Sequence, residues 1–164
     1  MKLIFFRHGT ASDKKSTYDD LQDFKRELVK EGIKETKLVE KKFRNLFRGV
    51  DVFYSSSYLR AIFTAELLHQ KNIHSDFQIL PSLDSAVSPK EFIQEINLLS
   101  PKKNYCFVGH EPHLSEAVSL LLKAADPIFN LDKSGFVVLE GDHFNNLKLL
   151  SMISPKLLNK KFLR

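Results

Sequence analysis

The chain has 164 residues, 43% hydrophobic and 27% charged, with 25 Lys and Arg against 20 Asp and Glu for a formal net charge of +5. This length and composition predict a single globular domain over residues 1–164 rather than a disordered chain, and the charge permits an anionic partner without demanding one. A lone cysteine excludes a disulfide framework or cysteine-cluster metal site. The opening apolar run is too short for a signal-peptide core, and no window nears the roughly 18 apolar residues of a membrane span. A cytoplasmic protein without membrane or nucleic-acid partners is expected.

Residues 2–6 read as a buried strand that stops at Arg7-His8-Gly9, where charge and a turn residue arrive together. Residues 10–26 are polar and predict a surface loop, with a helical turn near 18–24. Helical spacing over 31–47 puts Ile33, Thr36, Val39, Phe43, Leu46 and Phe47 on one face. Lys34, Glu35, Lys37, Glu40, Lys41 and Lys42 are expected on a solvated face opposite. Residues 51–55 predict a second strand closed by serines, and 58–70 a helix carrying Ala61, Ala65 and Leu68 inward.

A weaker strand at 77–80 ends at Pro81. Ser88 and Pro89 start a helix to about residue 99, burying Phe92, Ile93, Ile96 and Leu99. The apolar run 105–108 has the pattern of a strand buried on both faces, and Gly109-His110-Glu111-Pro112 breaks it before a helix over 113–122. Residues 136–140 and 147–153, with turn-rich 141–146 between them, predict an antiparallel hairpin. The alternation of strands and helices predicts an α/β protein, a three-layer α/β/α arrangement whose sheet is mostly parallel. The basic segment 156–164 is expected to be a packed or frayed terminus.

In open α/β sheets, ligands bind beyond the carboxyl ends of the strands. Arg7-His8-Gly9, Arg60 after the serine turn, and Gly109-His110 all fall at such ends, so two arginines and two histidines converge on one rim. Guanidinium forks match phosphoryl oxygens, one histidine can act as nucleophile, and a second can stabilise developing charge. His69, His74 and His143 fall outside this pattern and are expected to be structural.

These residues resemble the histidine phosphatase superfamily, which includes phosphoglycerate mutases and acid phosphatases. The resemblance runs in order through Arg7-His8-Gly9, the strand and serine turn 51–57, Arg60-Ala61 with Thr64-Ala65, and Val108-Gly109-His110-Glu111-Pro112. It implies a phosphoglycerate mutase-like fold. His8 would be the transiently phosphorylated nucleophile, with Arg7, Arg60 and His110 around the phosphoryl oxygens and Gly9 allowing close backbone approach. No cofactor or metal is implied, since the arginines supply the positive charge.

Ala11 and Lys14 depart from the R-H-G-x-S/T-x-x-N pattern of the mutases and sugar-phosphate phosphatases. R-H-G-x-A, and Arg26-x-Leu28 followed by Gly32, are similar to the short SixA-type phosphohistidine phosphatases. Where relatives acting on alcohol esters place a general-acid Glu, this chain has Leu83-Asp84-Ser85, which leaves Asp84 as a possible substitute acid. Phosphohistidine has a better leaving group than an alkyl ester, so a missing acid suits a phosphorylated protein as substrate and partner. A chain this short is also expected to leave its phosphate pocket uncovered.

The alternatives are a small-molecule phosphomonoesterase acting on a sugar or nucleotide phosphate, and a non-catalytic phosphoprotein-binding module. His110-Glu111-Pro112-His113 lacks the spacing of a zinc-protease helix, and no Arg follows Cys106 at the distance a cysteine phosphatase needs. Cys106 is expected to be a small buried strand residue.

Overall fold

In the computed structural model, which describes residues 1–13, 20–72, 74–127 and 129–158, period-two alternation of the strands divides the apolar side chains between two faces. In β1 (Lys2–Arg7), Leu3 and Phe5 face one layer while Ile4 and Phe6 face the other. β4 (Tyr105–Gly109) does the same, with Tyr105 and Phe107 on the first face and Cys106 and Val108 on the second. Both strands are therefore buried on two sides, as continuous apolar runs require.

β2 (Val52–Ser55) and β3 (Asp76–Ile79) complete the parallel part of the sheet. β5 (Phe136–Gly141) and β6 (Leu147–Ile153) form the antiparallel hairpin. Among the described residues the strand order is β3-β2-β4-β1-β5-β6, so β5 lies antiparallel against β1. This order brings the carboxyl ends of β1, β2 and β4 side by side, in the register Ser55 to Val108 and Arg7 to Gly109. The segment leading into β5 reaches the same rim, since Phe136 pairs with Phe6.

On the first face lie α5 (Pro89–Ile96) and α6 (His113–Leu121), with Phe92 meeting Phe107 edge-on at 5.3 Å between ring centroids. The Ser88 hydroxyl accepts from the Lys90 N–H, and Pro89 stands in the first turn, where its missing N–H costs nothing. On the second face lie α2 (Lys30–Lys42), α3 (Arg44–Arg48) and α4 (Leu59–His69). The short α1 (Asp20–Phe24) forms within the polar first loop. The arrangement is the three-layer α/β/α architecture expected from the alternation of elements.

Two features differ from the periodic reading. The helix expected over 31–47 breaks at Phe43 into α2 and α3, and this break lets the Phe43 and Phe47 rings both sit edge-on to Phe136, at 5.1 and 5.6 Å. Glu40, assigned above to a solvated face, is buried, and both its carboxylate oxygens accept from Arg44 at 3.0 and 3.2 Å. It follows Val39 at the margin of the apolar face, and the guanidinium supplies the partner that a buried carboxylate needs.

Candidate active site

The rim is assembled from the chain turn after β1. Arg7 ends the strand, and the next residues are drawn onto α2 and α4 by hydrogen bonds to their backbone. The Gly9 N–H donates to Thr64 Oγ1 (3.0 Å), and that hydroxyl donates to the Arg60 carbonyl (2.7 Å). Thr64 thus ties the His8–Gly9 turn to the helix that carries Arg60. A Cβ on Gly9 would lie 2.9 Å from Thr36 Oγ1 and 3.0 Å from the Gly32 carbonyl. Gly32 itself is passed so closely by Thr10 that a Cβ there would meet the Thr10 carbonyl oxygen at 2.2 Å. Both glycines are set by packing of the turn against α2.

The loop before β5 braces the other side. Ser134, with a positive φ of 57°, directs its N–H toward the carbonyls of Arg7 and His8 at 3.2 and 3.3 Å. Its hydroxyl pairs with that of Thr36 (3.0 Å). The Glu111 carboxylate accepts from the Leu131 N–H (3.2 Å), and the Leu131 carbonyl accepts from Arg7 Nη1 (2.6 Å). Glu111 is therefore a support for the Arg7 loop. Burial raises its pKa, against the pull of hydrogen bonds from Ser115 and Leu131.

Chemistry converges inside this frame. His8 is 7% exposed, and its Nδ1 lies 2.7 Å from the Gly9 carbonyl. A carbonyl only accepts, so Nδ1 carries the proton. Nε2 presents its lone pair and accepts from Arg60 Nε at 3.2 Å. Burial, with Arg60, Arg7 and Lys133 adding to it and the Gly9 bond opposing, pushes the His8 pKa down to about 3. The imidazole is neutral at physiological pH, the state a nitrogen nucleophile needs.

The His110 ring stands 5.0 Å from that of His8, and burial chiefly, with nearby positive groups, lowers its pKa to about 2. Its Nε2 is 2.6 Å from the Ser56 hydroxyl, which also accepts from the Tyr58 N–H at 3.2 Å. With the Ser56 proton given to Nε2, neutral His110 carries its own proton on Nδ1. That Nδ1 and Arg7 Nε are both buried without a hydrogen-bond partner among the described residues. Buried polar atoms are nearly always satisfied, so two unpartnered positions on residues of the rim that holds His8 fit an oxyanion ligand.

The arginines and histidines expected on one rim, His8, Arg7, Arg60 and His110, are brought together there. Asp84 lies nearby, its Oδ1 accepting from the Ser57 N–H at 2.7 Å. His69 bonds the Ser75 carbonyl, His74 is exposed, and His143 accepts from Asn145, each away from the cluster. His113 packs against Phe92 at 5.6 Å, and no group of metal-ligating side chains occurs among the described residues. Cys106 is wholly buried, which raises its thiol pKa. Lys14 and residues 159–164 lie outside the described residues, and Lys156 pairs with Asp132 at 2.6 Å.

Sequence reasoning missed Ser56, Asp23, Lys133 and the brace at Leu131 and Ser134. Among the described residues, α1 lies over one member of the rim. Arg60 is only 5% exposed, because α1 lays the Asp23 carbonyl and carboxylate on its outer nitrogens and Phe24 on the Tyr58 ring. A five-residue helix makes these contacts.

Comparison with known proteins places this geometry. The sequence pattern of the histidine phosphatase superfamily (branch 1) matches residues 3–85, which hold the first two motif blocks. The chain belongs to the histidine phosphatase superfamily. An uncharacterised protein from Picosynechococcus sp. is 30% identical over 165 residues, covering 95% of this chain and 98% of its own. Among solved structures, this superfamily member is similar to the protein histidine phosphatase SixA complexed with tungstate. That match has a TM-score of 0.83 at 22% identity, over 97% of this chain and 100% of the other. It is also similar to a phosphoserine phosphatase from Entamoeba histolytica, with a TM-score of 0.70 at 18% identity over 98% of each chain. These structural likenesses establish the phosphoglycerate mutase-like fold. No helix among the described residues is long and apolar enough to cross a membrane.

Proposed function

We propose that the protein is a phosphatase that works through a phosphohistidine intermediate on His8 and removes phosphoryl groups from phosphohistidine of a signalling or carrier protein. The observation that carries this reading is the state of His8: neutral, its proton fixed on Nδ1 by Gly9, its Nε2 lone pair facing Arg60. That nitrogen attacks phosphorus, forming the new N–P bond as the bond to the leaving imidazole nitrogen breaks and that nitrogen takes a proton from solvent. Arg7, Arg60 and the Nδ1–H of His110 hold the phosphoryl oxygens, and positive charge with positioning carries most of the rate for a loose transition state. Arg60 Nε exchanges its bond to His8 for one to a phosphoryl oxygen. Water then attacks phosphorus and loses a proton, inorganic phosphate departs, and His8 regains its lone pair. The Nδ1–H kept on Gly9 leaves the phosphorylated ring cationic, which makes it a good leaving group in this second step.

The SixA-type branch is supported by the R-H-G-x-A turn and by the Arg26-x-Leu28…Gly32 stretch. Arg26 binds the Ser12 carbonyl (2.6 Å), Leu28 bridges Ala11, and Gly32 receives Thr10. A second reading, a small-molecule phosphomonoesterase, is favoured by the position of Asp84 beside Ser57 on the rim, from which it could protonate an alkoxide. Turnover of a phosphohistidine carrier protein compared with a panel of alkyl phosphates separates the two. Preference for the carrier protein is expected, and clear preference for the alkyl esters overturns the branch assignment.

A further inference from the structure

Asp23 makes contacts that the motif reading leaves unexplained. Its carbonyl accepts from Arg60 Nη1 (2.7 Å), and its Oδ2 accepts from Arg60 Nη2 (3.2 Å). Its Oδ1 accepts from Arg26 Nη1 (2.8 Å), and Arg26 is itself fixed by the Ser12 carbonyl. The Tyr58 ring lies under the same guanidinium, 4.6 Å from its central carbon. Arg60 therefore meets Asp23 at its outer end, Tyr58 at its face and His8 at its Nε. A guanidinium carries five N–H groups, so one hydrogen on each Nη nitrogen remains in addition to the Nε–H directed at His8.

We propose that Asp23 is a positioning residue for phosphoryl transfer: it grips the outer end of Arg60 so that the inner edge is held ready for the phosphoryl group arriving at His8. The inference rests on the proposed phosphatase reading and deepens it. A buried guanidinium without such a grip would pay for its desolvation and could rotate about several side-chain bonds. With the grip, the rotational freedom is removed before substrate binds, and little ordering is left for the moment of reaction. Asp23 stays on Arg60 throughout the cycle and touches no reacting atom. Burial pushes the Asp23 carboxyl up, but hydrogen bonds from Arg26 and Arg60 outweigh it and hold the group below the usual carboxylate range, so it is ionised wherever the enzyme works.

The test measures aryl phosphate hydrolysis and orthovanadate inhibition for wild type, Asp23→Asn, Arg60→Gln and the double variant. Asp23→Asn is expected to fold with an unchanged circular dichroism spectrum, to lose about 10- to 100-fold in kcat/KM, and to bind vanadate more weakly. In the Arg60→Gln background the same substitution is expected to add little, because its effect passes through Arg60; a merely structural role would be additive. A crystal structure of the wild-type protein with vanadate is expected to keep Asp23 on the outer end of Arg60, and this check needs no variant to fold. Wild-type kinetics in Asp23→Asn, additive losses, tighter vanadate binding, or Asp23 displaced from Arg60 by vanadate each overturn the proposal. A wild-type protein that neither hydrolyses aryl phosphate nor binds vanadate would instead remove the phosphatase reading, and this proposal with it.

Discussion

Gly32 joins α2 to the turn after His8 across a contact with no room for a side chain, so Gly32→Ala probes how tightly the fold sets the site. The added Cβ would lie 2.2 Å from the Thr10 carbonyl oxygen and 2.6 Å from the Thr10 nitrogen. Both are backbone atoms, and that carbonyl also accepts from the Val29 N–H at 3.0 Å, so neither can swing aside. Restoring ordinary contact requires α2 and the turn to separate by on the order of 1 Å, and overpacking of this kind typically costs about 1–3 kcal/mol. For a chain of this size each kcal/mol lowers Tm by about 2–4 °C, so a fall of about 2–12 °C is expected. Gly9, whose carbonyl holds the His8 proton, is the neighbour of Thr10, and a displacement of this size at a reacting nitrogen can remove about 100-fold in kcat/KM. Thermal unfolding followed by circular dichroism, with aryl phosphate hydrolysis, reads both effects. Gly49→Ala is the matched control, since a Cβ there meets nothing nearer than 3.4 Å, and it is expected to behave as wild type. A Gly32→Ala protein with the Tm and activity of that control would refute the coupling.

Acidification is expected to destabilise the fold through its two central imidazoles. His8 and His110 have folded pKa values pushed down to about 3 and about 2 from 6.5, so between those limits the unfolded chain binds more protons than the folded one. Their contribution is complete above pH 6.5 and is lost as pH falls toward 3, and Tm measured from pH 7 to 4 should drop less steeply in His8→Asn than in wild type. Equal slopes would contradict the assignment. Ser56→Ala strips His110 Nε2 of its partner. A stability loss of about 1–3 kcal/mol in denaturant unfolding is expected, together with reduced kcat/KM as the His110 tautomer is freed. Unchanged activity would remove Ser56 from the site.

The central strands were readable because burial on both faces leaves a continuous apolar run, as at residues 105–108. Arg7, His8 and His110 were readable because they stand at or just beyond strand ends, and Arg60 because it opens the helix that follows the serine turn after β2, so chain position dictates their place in space. The partners of those side chains were not. Asp23 lies in a polar stretch without periodicity, and its bond to Arg60 joins residues 37 positions apart. Leu131 and Ser134 act through backbone groups, which leave no mark on side-chain patterning. The insertion of β5 beside β1 is a pairing across more than a hundred residues, decided by which edge of the sheet remains to be covered. Glu40 was misplaced because periodicity grades faces coarsely, while burial at a helix margin depends on whether a neighbour such as Arg44 can accompany the charge inward.

The central claim, that His8 carries the phosphoryl group in transit, is tested most directly by trapping the phosphoenzyme. The protein is mixed with a phosphohistidine donor carrying labelled phosphate, quenched within the first turnover, and digested for mass spectrometry. The account predicts acid-labile, alkali-stable label on the peptide containing His8 and none in a His8→Ala protein. Label on another residue, or turnover and labelling that persist in His8→Ala, would contradict it.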